Sequence, residues 1–273
     1  MPLALFALTI GAFAIGTTEF VIVGLVPTIA QQLSISLPSA GLLVSIYALG
    51  VAIGAPVLTA LTGRMPRKQL LLALMVLFTA GNILAWQAPG YETLILARLL
   101  TGLAHGVFFS IGSTIATSLV AKEKAASAIA IMFGGLTVAL VTGVPFGTFI
   151  GQHFGWRETF LAVSILGVIA LISSLLLVPN NIPGRASASL RDQLRVLTHP
   201  RLLMIYAITA LGYGGVFTAF TFLAPMMQEL AGWYAQGRIK PLIDRTMPMS
   251  ELKAAYARMG SREVKGKLVL VND

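Results

Sequence analysis

The chain has 273 residues, of which 56% are hydrophobic and 11% charged, with no cysteine and a formal net charge of +9. The missing thiols exclude a disulfide framework, a thiolate metal site and a cysteine nucleophile. The basic excess argues for membrane topology and against nucleic-acid binding, because the Lys and Arg residues gather in joints between apolar runs.

Residues 1–232 hold 17 Asp, Glu, Lys and Arg, about 7%, far below the ~25% of a soluble protein. Residues 233–273 hold 12 in 41, an ordinary soluble share. A bilayer-spanning helix needs ~20 consecutive apolar residues. Seven stretches reach that length: Leu3–Ala30, Pro38–Leu61, Leu70–Ala88, Thr93–Leu119, Ala125–Gly151, Thr159–Val178 and Leu202–Met227. The joints at 62–69, 120–126 and 179–201 carry Arg64, Arg67, Lys68, Lys122, Lys124, Arg185, Arg191, Arg195 and Arg201, whereas the alternate joints carry only Arg157. That asymmetry puts the N-terminus in the cytoplasm. The first span lacks a basic leader and stays apolar to Val26, so it reads as an uncleaved span although Ala12-Phe13-Ala14 resembles a cleavage site.

Ionisable groups at membrane depth are costly, and each is a functional candidate. Glu19 lies near the middle of the first span, after Thr17 and Thr18. It is placed to load and release a proton as water access alternates; a structural hydrogen bond to a neighbouring helix is the plainer reading. The second span carries Gly50 and Gly54, and the third carries Asn82.

On the fourth span Arg98 and His105 are seven residues apart, so both project from one face with Thr101 and Gly102 between them. A buried Arg stays charged and needs an acidic or carbonyl partner. Glu19 is the only acid well inside the first six spans, which makes it the expected partner, directly or through water. The alternative for Arg98 is snorkelling to the nearer surface. His105 is either a proton-relay member or a packed histidine bonded to backbone. Gly143, Pro145, Gly147 and Gly151 mark the fifth span: glycines four apart permit close helix approach, and Pro145 removes one backbone bond. Thr17, Thr18, Asn82, Thr101, Phe108 and Phe109 are the expected cavity lining, an uncharged set that suits sugars, nucleosides or amphipathic drugs alike; packing between helices is the other reading.

At these residues the chain resembles the major facilitator superfamily, in particular its drug:proton antiporter and sugar-efflux-like branches. The loop after span two resembles the Gly-x-x-x-Asp-Arg-x-Gly-Arg-Lys signature, with Arg64, Arg67 and Lys68 matching and with Thr59, Gly63 and Pro66 departing from it. Arg98 with Gly102 resembles the fourth-span motif. Gly143-Val-Pro145-Phe-Gly147, with the Gly155-Trp156-Arg157 turn, resembles the antiporter motif, and Gly16 through Pro27 resembles the first span of the efflux subgroup. The resemblance implies an all-α membrane fold: the first six-helix half of a major-facilitator fold plus a seventh span, with a short α+β soluble tail. It implies proton-coupled efflux by alternating access in a bacterial inner membrane, with Glu19 and Arg98 at the coupling site, to which the reading of the residues adds His105 as a candidate.

The expected organisation is a six-span half at 1–178, a cytoplasmic basic linker at 179–201, a seventh span at 202–231 and a tail at 232–273. In the tail, residues 239–244 read as an extended piece, Ser250 as the cap of a helix through Ala257, and Lys267–Val271 as a strand. Its order resembles the C-terminal end of medium-chain quinone oxidoreductases. No glycine-rich nucleotide-binding turn accompanies it, so no enzyme activity, metal or cofactor is expected. The expected partners are the lipid bilayer, protons and a small-molecule substrate. The transporter is expected to be truncated and fused, with the junction near Leu230–Trp233; the competing expectation is a membrane fragment that is inert or assembles with another transporter half.

Overall fold

The computed structural model describes residues 2–63, 65–182, 198–240, 242–261 and 264–271. Four long helices come first: α1 (Leu3–Gln32), α2 (Leu37–Thr62), α3 (Arg67–Trp86) and α4 (Tyr91–Ser118). Next come α5 (Ala125–Val138) and α6 (Val144–His153), then α7 (Trp156–Leu177) and α8 (Pro200–Ala235). Among the described residues seven helical rods are long and apolar enough to cross a membrane, one of them running Lys122–His153 through α5 and α6.

Local chemistry sets the breaks. Ser34 takes a positive φ of 53° after α1. Ser36 then caps α2, its Oγ accepting from the Ser39 N–H at 3.2 Å. Gly155, at φ 102°, turns the chain into α7 in a backbone region that disfavours side chains. The fifth rod does not simply lose a bond at Pro145. It widens into a π-helical turn over Ala139–Gly143, where the Val144 N–H donates five residues back to the Ala139 carbonyl, and resumes as α6 with Pro145 in the first turn, where a missing N–H is tolerated.

Residues up to Ala224 form one compact unit. Within it α1 is the central helix, packed by α2, α5, α6 and α7, while α2 lies on α4 and α3 bridges α4 and α7. Two large apolar clusters and a smaller one at Leu70, Leu74 and Val107 fill the interior. One gathers Leu5, Leu8 and Ile15 of α1 with Phe78, Phe108 and Met132. The other gathers Val21, Leu25 and Ile29 with Leu43, Trp156 and Phe160. On α1 the stretch Thr17-Thr18-Glu19 falls between them, so polar groups occupy one layer of an otherwise apolar body.

Glycine decides how close the helices come. Cβ atoms on Gly50 and Gly54 would meet the Leu99 and Leu103 carbonyls at 2.6 Å each, and one on Gly102 would meet the Tyr47 carbonyl. The α2–α4 contact is therefore backbone on backbone. On the other side Gly135, Gly143, Gly147 and Gly151 meet Thr9, Thr17, Val21 and Leu25 of α1. Both helices advance by multiples of four residues together, which is a parallel small-residue seam.

Residues from Pro225 form the second compact unit. Beyond the end of α8 it holds strand β1 (Ile243–Pro248), helix α9 (Leu252–Gly260) and strand β2 (Lys267–Val271). The two strands pair in parallel from Ile243↔Lys267 to Pro248↔Val271, with α9 as the crossover that parallel pairing requires. Two expectations shift here. The extended piece begins at Ile243, and Ser250 lies in a 3-10 turn, Met249–Glu251, leaving Glu251 at the cap position of α9.

Asp244 accepts from Arg258 Nε at 3.0 Å and from the Lys265 N–H at 3.3 Å. Those bonds, Arg258 first, hold its carboxyl below its ordinary value. A depressed carboxyl stabilises the folded form above its ordinary value and stops doing so as pH falls through the folded one. Amide-exchange protection in the βαβ unit is thus expected to hold down to about pH 5 and to drop below about pH 4. Asp244→Asn should abolish that step; an unchanged step would show that other carboxylates govern it.

Candidate functional site

The polar layer assembles around one aromatic ring. Tyr47 of α2 is 2% exposed. The Arg98 guanidinium carbon lies 4.1 Å above its ring centroid, a cation–π geometry. Its hydroxyl lies 2.9 Å from His105 Nδ1, and the same nitrogen is 3.8 Å from Glu19 Oε2. Four side chains from three helices thus run in series: Arg98, Tyr47, His105, Glu19. Phe109 covers His105 from another side, ring centroids 5.0 Å apart.

Arg98 is buried, at 1% exposure, so it does not snorkel. Nor does it pair directly with Glu19, as its charge led one to expect. Its Nη1 donates to the Thr18 carbonyl at 2.9 Å and its Nε points to the Leu43 carbonyl at 3.4 Å. The reason is reach: the guanidinium is held over Tyr47 and meets α1 one residue before the acid, while the Glu19 carboxylate turns to His105. The histidine is bonded to a hydroxyl and not to backbone.

The expected lining residues are placed differently. Thr17 is buried and donates to the Phe13 carbonyl at 2.8 Å. Thr18 donates to Asn82 Oδ1 at 2.7 Å, and Asn82 Nδ2 donates to the Phe78 carbonyl at 2.8 Å. Thr101 is spent on the Ala97 and Arg98 carbonyls. Phe108 packs in the core beside Gly11, and Phe109 stacks toward Phe133 at 4.9 Å. Of these contacts the Thr18–Asn82 bond and the Phe109–Phe133 pair join two helices, while Thr17 and Thr101 bond within their own helix.

The open cleft, about 470 Å3, is lined by Glu19, by Val44, Ser45 and Tyr47 of α2, and by Tyr213, Phe217 and Thr218 of α8, among others. Phe217 extends the aromatic wall, 5.8 Å from Phe20 and 6.1 Å from Tyr213. Sequence reasoning missed Tyr47. The signal was present: an aromatic hydroxyl in mid-span, where belt tyrosines do not belong. It missed the α8 residues because aromatic and threonine side chains are common in any span.

Of the motif residues, Lys68 donates to the Leu175 carbonyl at 2.8 Å, meeting the last turn of α7 where carbonyls lack helical partners. Arg67 opens α3. Arg64 lies outside the described residues. Gly143, Gly147 and Gly151 lie in the seam against α1, with Pro145 in the first turn of α6.

A model of the Major Facilitator Superfamily matches residues 8–244. The chain is 55% identical over 232 residues to an uncharacterised MFS-type transporter, YtbD, of Bacillus subtilis (strain 168), covering 85% of this chain and 59% of the relative. It is 47% identical over 226 residues to the inner membrane transport protein YdhP of Escherichia coli (strain K12), covering 83% and 58%. It is 37% identical over 238 residues to a chloramphenicol resistance protein of Streptomyces lividans, covering 85% and 60%. The chain therefore spans about three-fifths of the length of these relatives. Among solved structures, the peptide transporter POT in complex with sulfate shares the fold, with a TM-score of 0.61 at 15% identity over 82% of this chain and 47% of that one. A multi-pass membrane architecture, a family model covering most of the sequence and transporters among its relatives all agree, and the chain belongs to the Major Facilitator Superfamily.

Proposed function

We propose that this chain supplies the proton-coupling half of a secondary transporter that exports small molecules by alternating access. The observation that carries the reading is the series from buried Arg98 and Tyr47 through part-buried His105 to Glu19, which ends on a carboxylate lining the cleft. A carboxylate at membrane depth, close to a fixed positive charge and open on one side, can exchange its proton for a bound molecule. The six-span body at 1–178 would form one wall of the path, and the partner that rocks against it is a second transporter half. The orientation proposed has the N-terminus in the cytoplasm of a bacterial inner membrane, supported by the asymmetric basic joints. Glu19, Arg98 and His105 carry the coupling. Arg67, Lys68 and the glycine seam govern how the helices rearrange.

The tail is proposed to have no oxidoreductase activity. The turn from β1 to α9 is Met249-Ser250-Glu251, where a dinucleotide site would need glycines to let a pyrophosphate approach the backbone.

Chloramphenicol, named for one relative, is the first substrate probe. In proteoliposomes holding the chain with its second half, an imposed pH gradient should drive chloramphenicol movement and be dissipated by it. Glu19→Gln should cut the gradient-driven flux at least tenfold, as one proton carrier is lost. Unaltered pumping by that variant across the usable pH range would remove Glu19 from the coupling role.

A further inference from the structure

His105 Nδ1 faces two candidate partners and can bond only one at a time. The Tyr47 hydroxyl is at 2.9 Å, a hydrogen-bond length, while the Glu19 carboxylate oxygen is at 3.8 Å, beyond one. In this conformation Nδ1 is committed to Tyr47. A neutral imidazole carries a single N–H. If the Tyr47 O–H donates to Nδ1, that proton sits on Nε2 and Nδ1 has nothing to offer Glu19. If Nδ1 carries the proton, it can turn to an ionised carboxylate, which makes the stronger, charge-assisted bond. Phe109 on one side and Tyr47 on the other keep the ring between these two choices.

We propose that Tyr47 is the positioning residue of the site: its hydroxyl competes with the Glu19 carboxylate for His105 Nδ1, so the imidazole tautomer records whether Glu19 carries a proton. With Glu19 protonated, Tyr47 donates and His105 holds its proton on Nε2. With Glu19 ionised, the proton moves to Nδ1 and the ring swings toward α1. Tyr47 also lies under Arg98 and has its carbonyl against Gly102. Release of the hydroxyl therefore loosens a side chain that touches the fixed charge, the histidine and the cleft together. The titratable and charged groups around His105 are Glu19 on α1, Tyr47 on α2 and Arg98 on its own helix, with Tyr213 of α8 lining the same cleft.

This inference rests on Glu19 as the proton carrier, but its test does not need transport. The full chain is labelled with 15N-histidine and 13C-glutamate and placed in lipid vesicles; the His105 signals are those lost in His105→Gln. Glu19→Leu, which leaves no acceptor, should fix His105 as the Nε2–H tautomer. Tyr47→Phe, which deletes one oxygen and keeps the ring beneath Arg98, should let the Nδ1–H tautomer persist to lower pH than in the unaltered chain, because the competing hydroxyl is gone. In the unaltered chain the tautomer signal should change over the same pH range as the Glu19 carboxyl signal. A tautomer change at the same pH in Tyr47→Phe as in the unaltered chain, or a tautomer indifferent to Glu19 titration in the unaltered chain, overturns the role of Tyr47. Normal pumping by Glu19→Gln overturns the coupling reading instead, and leaves the tautomer result standing.

Discussion

Alanine at Gly135 is expected to destabilise the helix body by about 1–3 kcal/mol, whereas alanine at its neighbour Gly134 is expected to stabilise it by up to ~1 kcal/mol. The two changes are chemically identical and share a helix. A Cβ on Gly134 meets nothing within 4 Å, so only the helical preference of alanine over glycine is felt. A Cβ on Gly135 would lie 3.0 Å from the Phe13 backbone nitrogen and closer still to the Thr9 carbonyl. Those are backbone atoms of α1 and cannot swing aside, so the helices must separate. Separation would also stretch the bond from Thr9 Oγ1 to the Ile131 carbonyl, 3.0 Å long, one turn away. Reversible unfolding of both variants in lipid bicelles measures the difference directly. Equal effects of one sign would mean that the α1–α5 seam is looser than its geometry indicates.

Arg98→Lys should leave the fold intact and still lower proton-driven flux by roughly ten- to a hundredfold. Lysine keeps the charge but brings a point donor in place of a planar fork. The guanidinium reaches the Thr18 carbonyl of α1, points to the Leu43 carbonyl of α2 and lies flat on Tyr47, all from α4. An ammonium lacks the planar fork, so from a single point it cannot hold both carbonyls and lie flat on the ring. The lost charge-assisted bond is worth about 1.5–3 kcal/mol, and each 1.4 kcal/mol is about tenfold in rate where the bond holds the coupling geometry. The check is the chloramphenicol flux assay together with melting temperature. A variant that melts like the parent and pumps at the parental rate would reduce Arg98 to a counter-charge whose shape is immaterial.

Several features of this molecule were legible without coordinates. The seven spans are the plainest: each predicted run overlaps an observed rod, because the cost of leaving polar groups in hydrocarbon is paid along a single helix and can be summed residue by residue. Glu19, Arg98 and His105 stood out for the same reason, being ionisable groups where the surrounding sequence is apolar. The tail strands and crossover helix also followed from local pattern, with boundaries displaced by a few residues.

What the chain order could not reveal is which groups meet. Arg98 bonds to the carbonyl beside Glu19 and not to the acid, and Tyr47 stands between Arg98 and His105. Asn82 is used up by Thr18, and α8, not the predicted threonines, contributes to the cleft wall. Each of these pairings joins residues tens of positions apart, and each depends on the register and closeness of two packed helices. The glycines at 50, 54, 102 and 135 control that closeness by admitting backbone against backbone. Hydropathy is a property of one segment and survives being read in isolation. A contact between segments exists only once packing has chosen which faces touch, and so the chemistry of this site is decided by the tertiary structure.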